Sequence, residues 1–254
     1  MIPIGDNLPT LRRPVVTYLI LAAMFAVWVF VQGAGFENFR LAASVCDLGL
    51  VPGELTRLAP LGQAVPLGSG LACVVDDHSI NYLTPVISMF LHGSWGHLLG
   101  NALFFWVFGN NVEDSMGHLR FLAFYLICGL AAGFAHVLVD SHSPVPTVGA
   151  SGAISGVLGG YLLLYPRARI RMLFLFFAIP IQAWLVLLWW FVWQVIAGLP
   201  QLMTVEPDVS GGVAVWAHVG GFVTGVVLIK LFANPRYVAE HRTAIGVKHG
   251  YLWR

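Results

Sequence analysis

The chain has 254 residues, of which 58% are hydrophobic and only 10% charged, with a mean hydropathy of +0.79. That leaves too little polar surface to cover a soluble globule of this size, so the composition excludes a water-soluble domain and places the chain in a membrane. The net charge of +1 offers no footprint for nucleic acid, and charge is informative only through where it falls.

In chain order, six apolar runs approach the ~20 residues needed to cross a bilayer core. The first is Pro14 to Val31. Its basic start and small-residue end imitate a secretory leader, but its apolar core outruns the ~7–15 residues of a leader and is read as a retained helix. The long segment from Gln32 to about Gly93 follows, with Cys46 and Cys73. These two pair if the loop faces an oxidising compartment and otherwise remain two buried thiols. The second run falls between Leu83 and Asn111, and the rest are Leu119 to Val139, Gly149 to Tyr165, Met172 to Leu199 and Val213 to Phe232. Pro180 predicts a kink in the fifth run, and the "WWFVW" stretch suits an interface. With no linker, repeat or low-complexity tract, residues 1–254 read as one all-α membrane domain with a core from about 14 to 232 and short tails.

Eleven of the thirteen basic residues fall in one set of loops and tails, and only Arg40 and Arg57 in the other. The positive-inside rule then puts both termini in the cytoplasm, which requires an even number of spans and agrees with six. The loop between the first and second spans lies outside.

Polar groups inside apolar spans are expensive and mark function by default. Three clusters stand out on the even-numbered spans: His92, His97 and Asn101 in "HGSWGHLLGN", Ser151 in "GASG", and His218 in "WAHVGG". At 1.5 Å per residue, Ser151 lies ~3–5 Å and His218 ~9 Å below the outer ends of their helices. Asn101 reaches that level, ~10 Å down, only if its helix begins near Ser94, a plausible N-cap, and not at Leu83, which would put it ~27 Å down. "YLTPVISMFLH" is therefore read as a separate piece of the outer loop. His97 and Asn101, four apart, share a helix face. A serine, a histidine and a His/Asn donor pair then converge from three helices, which is the inventory of acyl transfer: nucleophile, base and oxyanion donors. No carboxylate is available in the spans to orient the histidine, so a two-residue Ser–His arrangement fits. Gly152, Gly156 and Gly160 on one helix, and Gly221 and Gly225 on another, form small-residue stripes that allow the close backbone approach such a pair needs.

"SMFLHGSWGHLLGNALFFWVFGNNVEDSMG", "GASGAISG" and "AHVGGFVTG" resemble, in order and on matching helices, the three signature blocks of the rhomboid family of intramembrane serine proteases in its six-helix bacterial form. The resemblance runs from about Pro14 to about Phe232. It implies a six-helix bundle with Ser151 as nucleophile and His218 as base. It further implies an oxyanion site of His97, Asn101 and the Ser151 backbone N–H, and a structural role for His92. Gly149, Gly152, Ser155 and Gly221 flank these residues as supporting positions. No cofactor or metal is implied, and His78 and His142 lack an H-E-x-x-H partner. The implied partners are transmembrane protein substrates and lipid. The implied setting is a bacterial inner membrane, with the site open to the outer side.

Two departures stand out. Where the family often carries an aromatic residue stacked on the base, four positions after the nucleophile, this chain has Ser155, whose hydroxyl is instead available to hold the histidine or a water. The Trp–Arg pair found in the outer loop of some members is not evident between Gln32 and His92. His136, Tyr161 and Trp216 read as packing residues. A channel or transporter is disfavoured because no Asp or Glu sits mid-span. The nearer rival is a catalytically inactive rhomboid-like protein that only binds membrane clients, although such relatives typically lack the serine or the histidine.

Overall fold

The chain folds as β1 (Ile2–Gly5), α1 (Val15–Ala26, continued by a π-turn over Val27–Val31), α2 (Asn38–Leu48) and α3 (Pro52–Thr56), followed by the hairpin of β2 (Ala64–Gly68) and β3 (Leu71–Val74). Next come α4 (Thr84–Ile87), α5 (Trp95–Met116), α6 (His118–Val139), α7 (Ser151–Leu164), the hairpin of β4 (Arg169–Phe174) and β5 (Phe177–Gln182), α8 (Ala183–Met203), α9 (Val215–Phe232) and α10 (Pro235–Ala244). This computed structural model describes residues 2–68, 70–76, 81–203 and 214–244. Among them, the helices at His118–Val139, Ala183–Leu202 and Val215–Phe232 are long and apolar enough to cross a membrane, and Val15–Val31 and Ser151–Leu164 are shorter apolar helices.

Helix α7 lies at the centre, with every residue from Gly152 to Leu162 buried. Its small residues let α9 come into backbone contact. A β-carbon added to Gly225 would run into the carbonyl oxygen of Gly156, one on Gly221 into that of Gly152, and one on Gly159 into that of Phe222. The backbone contacts therefore involve Gly152, Gly156 and Gly159, while Gly160, expected as the third member, also faces α9 but meets the Ile229 side chain. A 3.6-residue turn brings the third contact round at Gly159 and turns Gly160 toward Phe124 and Ile229. On the far side, Gly156 lies against Cys128 of α6.

Helix α5 starts where depth matching requires. Ser94 is its N-cap, with its hydroxyl oxygen accepting from the His97 N–H at 3.1 Å. Residues Thr84–Phe90 form a separate short helical piece. At the other end, Gly117 (φ +83°) makes the turn into α6. There the buried Glu113 carboxylate accepts from the backbone N–H groups of Val16 and Thr17 at 2.9 and 2.8 Å, capping the start of α1. Asp114 likewise accepts from the N–H groups of Leu11 and Arg12, and Arg12 also pairs with Asp114 and Glu240. Asp6 accepts from Tyr161 Oη at 2.6 Å and Asn111 Nδ2 at 2.7 Å, and burial pushes its carboxyl above the ordinary carboxylate value. The N-terminal tail is thereby tied to α5, α7 and α10.

The fold is mostly helical, as expected, with two small sheets besides. Strands β1, β4 and β5 form a three-stranded antiparallel sheet, and β2 pairs with β3. The fifth apolar run, expected to be one helix from Met172 with a kink at Pro180, opens instead as the β4–β5 hairpin, and its helix begins at Ala183. Two local facts decide this. Arg169, Ile170, Arg171 and Met172 alternate exposed and buried, a period of two, and Pro180 sits on the edge strand, where no ladder N–H is needed. The segment between α1 and α5 is held by a Cys46–Cys73 disulfide joining α2 to β3, while Cys128 stays a buried free thiol.

Gly225→Leu should separate α7 from α9 and lower stability by about 3 kcal/mol, the upper part of the range for overpacking a tight core. Gly100→Ala, whose added methyl meets nothing within 4 Å, should be neutral or slightly stabilising. Thermal unfolding of both variants in detergent checks the pair.

Candidate active site

Ser151 is the first residue of α7. The chain reaches it through Thr147, which pairs with Leu50 of the segment between α1 and α5 (Leu50 N–H to Thr147 O at 2.9 Å, Thr147 N–H to Leu50 O at 2.8 Å). Gly149 then donates its N–H to the Ser88 carbonyl at 2.8 Å. Gly149 has φ +121°, which strains any residue bearing a β-carbon, and such a carbon would lie 2.6 Å from His97 Nε2. The glycine of "GASG" is thus fixed by both backbone and neighbour. Because Ser151 opens the helix, its amide is among the first-turn N–H groups that lack an intrahelical acceptor.

His218, in the first turns of α9, is 8% exposed, and its Nε2 lies 2.7 Å from Ser151 Oγ. The glycine contacts between α7 and α9 set that separation. Ser151 directly precedes Gly152, and His218 lies one turn before Gly221, so each polar residue sits beside a glycine-on-carbonyl contact. The other ring nitrogen, Nδ1, lies 2.8 Å from Gln194 Oε1 on α8. The Trp190 ring, also from α8, sits 5.9 Å away and tilted 38°.

His97 and Asn101 project from the first turns of α5 toward the same place. A β-carbon on Gly149 would lie 3.5 Å from Asn101 Nδ2, and this amide nitrogen is buried with no hydrogen-bond partner. His97 Nδ1 accepts from the Gly93 N–H at 3.4 Å, which leaves Nε2 as the protonated nitrogen facing Gly149. Ser151 and His97 both line two cavities. One, of about 460 Å³, lies toward Ser88 and Thr147, and the other, of about 260 Å³, lies toward Asn101, Trp190 and His218. An unpaired donor, a second N–H and the serine amide are therefore grouped around the serine hydroxyl.

Of the two expected uses of the Ser155 hydroxyl, holding the histidine or a water, the first is not what it does. Its Oγ donates to the Ser151 carbonyl at 2.6 Å, a bond within its own helix. His92 is fully buried, its ring edge-on to His97 at 5.1 Å, while its backbone N–H and C=O are both bonded by the Gln32 amide. His136 bonds Thr147 Oγ1 at 3.0 Å, and Trp216 donates to the Gly198 carbonyl at 3.2 Å. Tyr161 bonds Asp6, well along α7 from Ser151 and away from the site. His142 lies beside Ser141, while His78 lies outside the described residues. Among the described residues, no three His, Cys, Asp or Glu side chains are grouped as metal ligands. Gln194 is the site residue that the sequence patterns do not single out. The available signal is an amide inside the apolar stretch "WWFVWQVIAG", where a polar side chain needs a partner.

The sequence profile of the Rhomboid domain matches residues 80–235. The chain is 42% identical over 93 residues to the rhomboid protease GluP of Bacillus subtilis, covering 37% of this chain and 17% of that protein. It is 29% identical over 155 residues to Rhomboid protein 1, mitochondrial, of Saccharomyces cerevisiae, covering 59% of this chain and 42% of that protein. With the human presenilin-associated rhomboid-like protein, mitochondrial, it shares 27% identity over 149 residues, 56% of this chain and 35% of the relative. The chain spans less than half the length of each.

Gly149→Ala should displace the His97 ring and strain the approach to Ser151. Labelling of Ser151 by a serine-directed fluorophosphonate should then fall at least about tenfold. Labelling rates equal to wild type would refute this account of the glycine.

Proposed function

The chain belongs to the rhomboid family, and from that premise we propose that it is an intramembrane serine endopeptidase that cleaves transmembrane segments of other membrane proteins. The observation that carries this reading is the 2.7 Å approach of His218 Nε2 to Ser151 Oγ across two different helices. A bond between groups so far apart in sequence, deep among apolar side chains, is what a nucleophile and its base require.

In the proposed reaction, His218 Nε2 takes the Ser151 hydroxyl proton as Oγ attacks the scissile carbonyl. The developing oxyanion is met by the Ser151 N–H, Asn101 Nδ2 and His97 Nε2–H. Asn101 Nδ2, buried and unpaired before substrate arrives, is suited to a partner that exists only in the transition state. The proton then passes from Nε2 to the leaving amine, and water entering from the outer side hydrolyses the acyl-enzyme by the same steps in reverse. The two cavities flanking Ser151 give room for an extended peptide on one side and for water on the other.

In this reading six helices cross the bilayer, namely α1 with its π-turn, α5, α6, α7, α8 and α9. The termini face the cytoplasm, as the distribution of Arg and Lys favours. The outer surface, with the Cys46–Cys73 bridge, faces an oxidising space such as a bacterial periplasm. Segments rich in small, helix-weakening residues are the expected substrates, since a helix must unwind before its backbone fits beside Ser151.

Ser151→Ala and His218→Ala should each abolish cleavage of a test transmembrane substrate in liposomes while leaving thermal unfolding close to wild type. Wild-type protein that cleaves no better than Ser151→Ala refutes the reading. Asn101→Ala should lower kcat about 10²–10³-fold with KM little changed. A change confined to KM would give Asn101 a binding role instead.

A further inference from the structure

We propose that Gln194 on α8 is a third member of this site, a positioning residue that selects the tautomer and holds the ring plane of His218. The assignment rests on the peptidase reading above and deepens it.

The imidazole itself sets the requirement. A neutral ring carries one N–H, and only the tautomer with the proton on Nδ1 leaves a lone pair on Nε2 for the Ser151 hydroxyl. An amide oxygen can only accept. Gln194 Oε1 at 2.8 Å therefore requires the proton to be on Nδ1 and directs the Nε2 lone pair toward Ser151 Oγ, 2.7 Å away on the opposite side of the ring. Without a partner at Nδ1 the proton is free to sit on Nε2, where it would donate to the serine oxygen and leave no base.

The other ways of holding this ring are taken or weak. Ser155 commits its hydroxyl to the Ser151 carbonyl, and the Trp190 ring is 5.9 Å from the imidazole and tilted 38°, which is not face-to-face stacking. The setting of Gln194 fits the role. Its neighbours Trp189 and Trp193 are 71% and 58% exposed on the open face of α8, and Phe191 stacks on Phe222 of α9 with centroids 4.5 Å apart. That aromatic contact docks α8 on the helix that carries His218, and an amide at this place in an apolar helix is stabilised there by finding a partner.

During acylation the Ser151 proton moves to Nε2, the new C–O bond forms at the scissile carbonyl, and the imidazolium keeps its Nδ1–H on Gln194. That proton is never transferred. Nε2–H then passes to the leaving nitrogen as the C–N bond breaks, and the starting tautomer returns.

The test uses full-length protein in liposomes with a test transmembrane substrate. Gln194→Met keeps length and apolar fit but removes the acceptor, whereas Gln194→Glu keeps an acceptor in place. The methionine variant should lose about 10–10²-fold in kcat with KM within about twofold of wild type, and the glutamate variant, held as the neutral acid with a carbonyl oxygen that still accepts, should recover part of the rate. Histidine-selective 15N NMR should show His218 protonated on Nδ1 in wild type and a tautomer mixture in Gln194→Met. This second readout needs no cleavage and applies even if the methionine variant is unstable, because wild type alone must show the Nδ1–H form. An active wild type with unchanged kcat in Gln194→Met, or an Nε2–H tautomer in wild type, overturns the role of Gln194. Equal cleavage by wild type and Ser151→Ala overturns the peptidase reading, and the NMR result then decides the hold of Gln194 on the ring by itself.

Discussion

The contact on which the rest depends is backbone against backbone. Gly221 and Gly225 of α9 lie so close to the carbonyls of Gly152 and Gly156 of α7 that not even a methyl group fits between them. Inside a membrane there is little hydrophobic force to press two helices together, because lipid tails are as apolar as leucine. Close approach must come from shape, and glycine is the residue that permits it. Ser151 is the neighbour of Gly152 on one helix, and His218 lies one turn before Gly221 on the other. The packing stripe and the Ser151–His218 pair therefore share one geometry. Loosening the first by a side chain moves the second out of hydrogen-bond range.

A second constraint governs the polar groups at the two ends of the bundle. At the end away from Ser151, buried acids are satisfied by backbone N–H groups. Glu113 takes those at the start of α1, and Asp114 takes those of Leu11 and Arg12. Such a buried carboxylate is stable only when its acceptor capacity is filled. The end near Ser151 is arranged differently. Asn101 Nδ2 has no partner, and the first amides of α7 have no acceptor within their own helix. The carboxylates at one end have their acceptor capacity filled and are suited to holding the fold, while Asn101 at the other keeps a donor unpaired and is suited to a visiting carbonyl.

Much of the site is legible in the sequence because its residues carry local signals. Ser94 before an apolar run, His97 and Asn101 four apart, and a serine among glycines each report backbone geometry directly, and α5 starts where depth matching requires. What escapes depends on partners. Residues Met172–Gln182 are apolar enough to pass for helix, and only pairing of β4 with β1 and β5 makes the period of two decisive. Gly159 and Gly160 are indistinguishable until the phase of α7 against α9 is known. Ser155 can turn toward His218 or back to its own helix, a choice of rotamer that sequence does not encode. Gln194 stands in plain view, but its meaning requires knowing that α8 packs beside α9.

The presence of an amide in place of a carboxylate beside His218 follows from the medium. In a low-dielectric site an ionised Asp or Glu needs desolvation worth several kcal/mol, offset only by several well-placed donors. The region around His218 is packed with the rings of Phe191, Phe222 and Trp190, of which only the Trp190 indole carries a donor, a single N–H. An amide oxygen carries enough partial charge to fix a tautomer and to stabilise an N–H that becomes part of a cation, yet it brings no net charge into the bilayer. In the proposed reaction the consequence is weaker stabilisation of the imidazolium, together with a resting site that has no formal charge on the proposed base or on the group proposed to orient it. Glu113 and Asp114 are tolerated only at the end where backbone donors surround them, and deep among apolar helices an uncharged acceptor is the arrangement the surroundings of His218 can sustain.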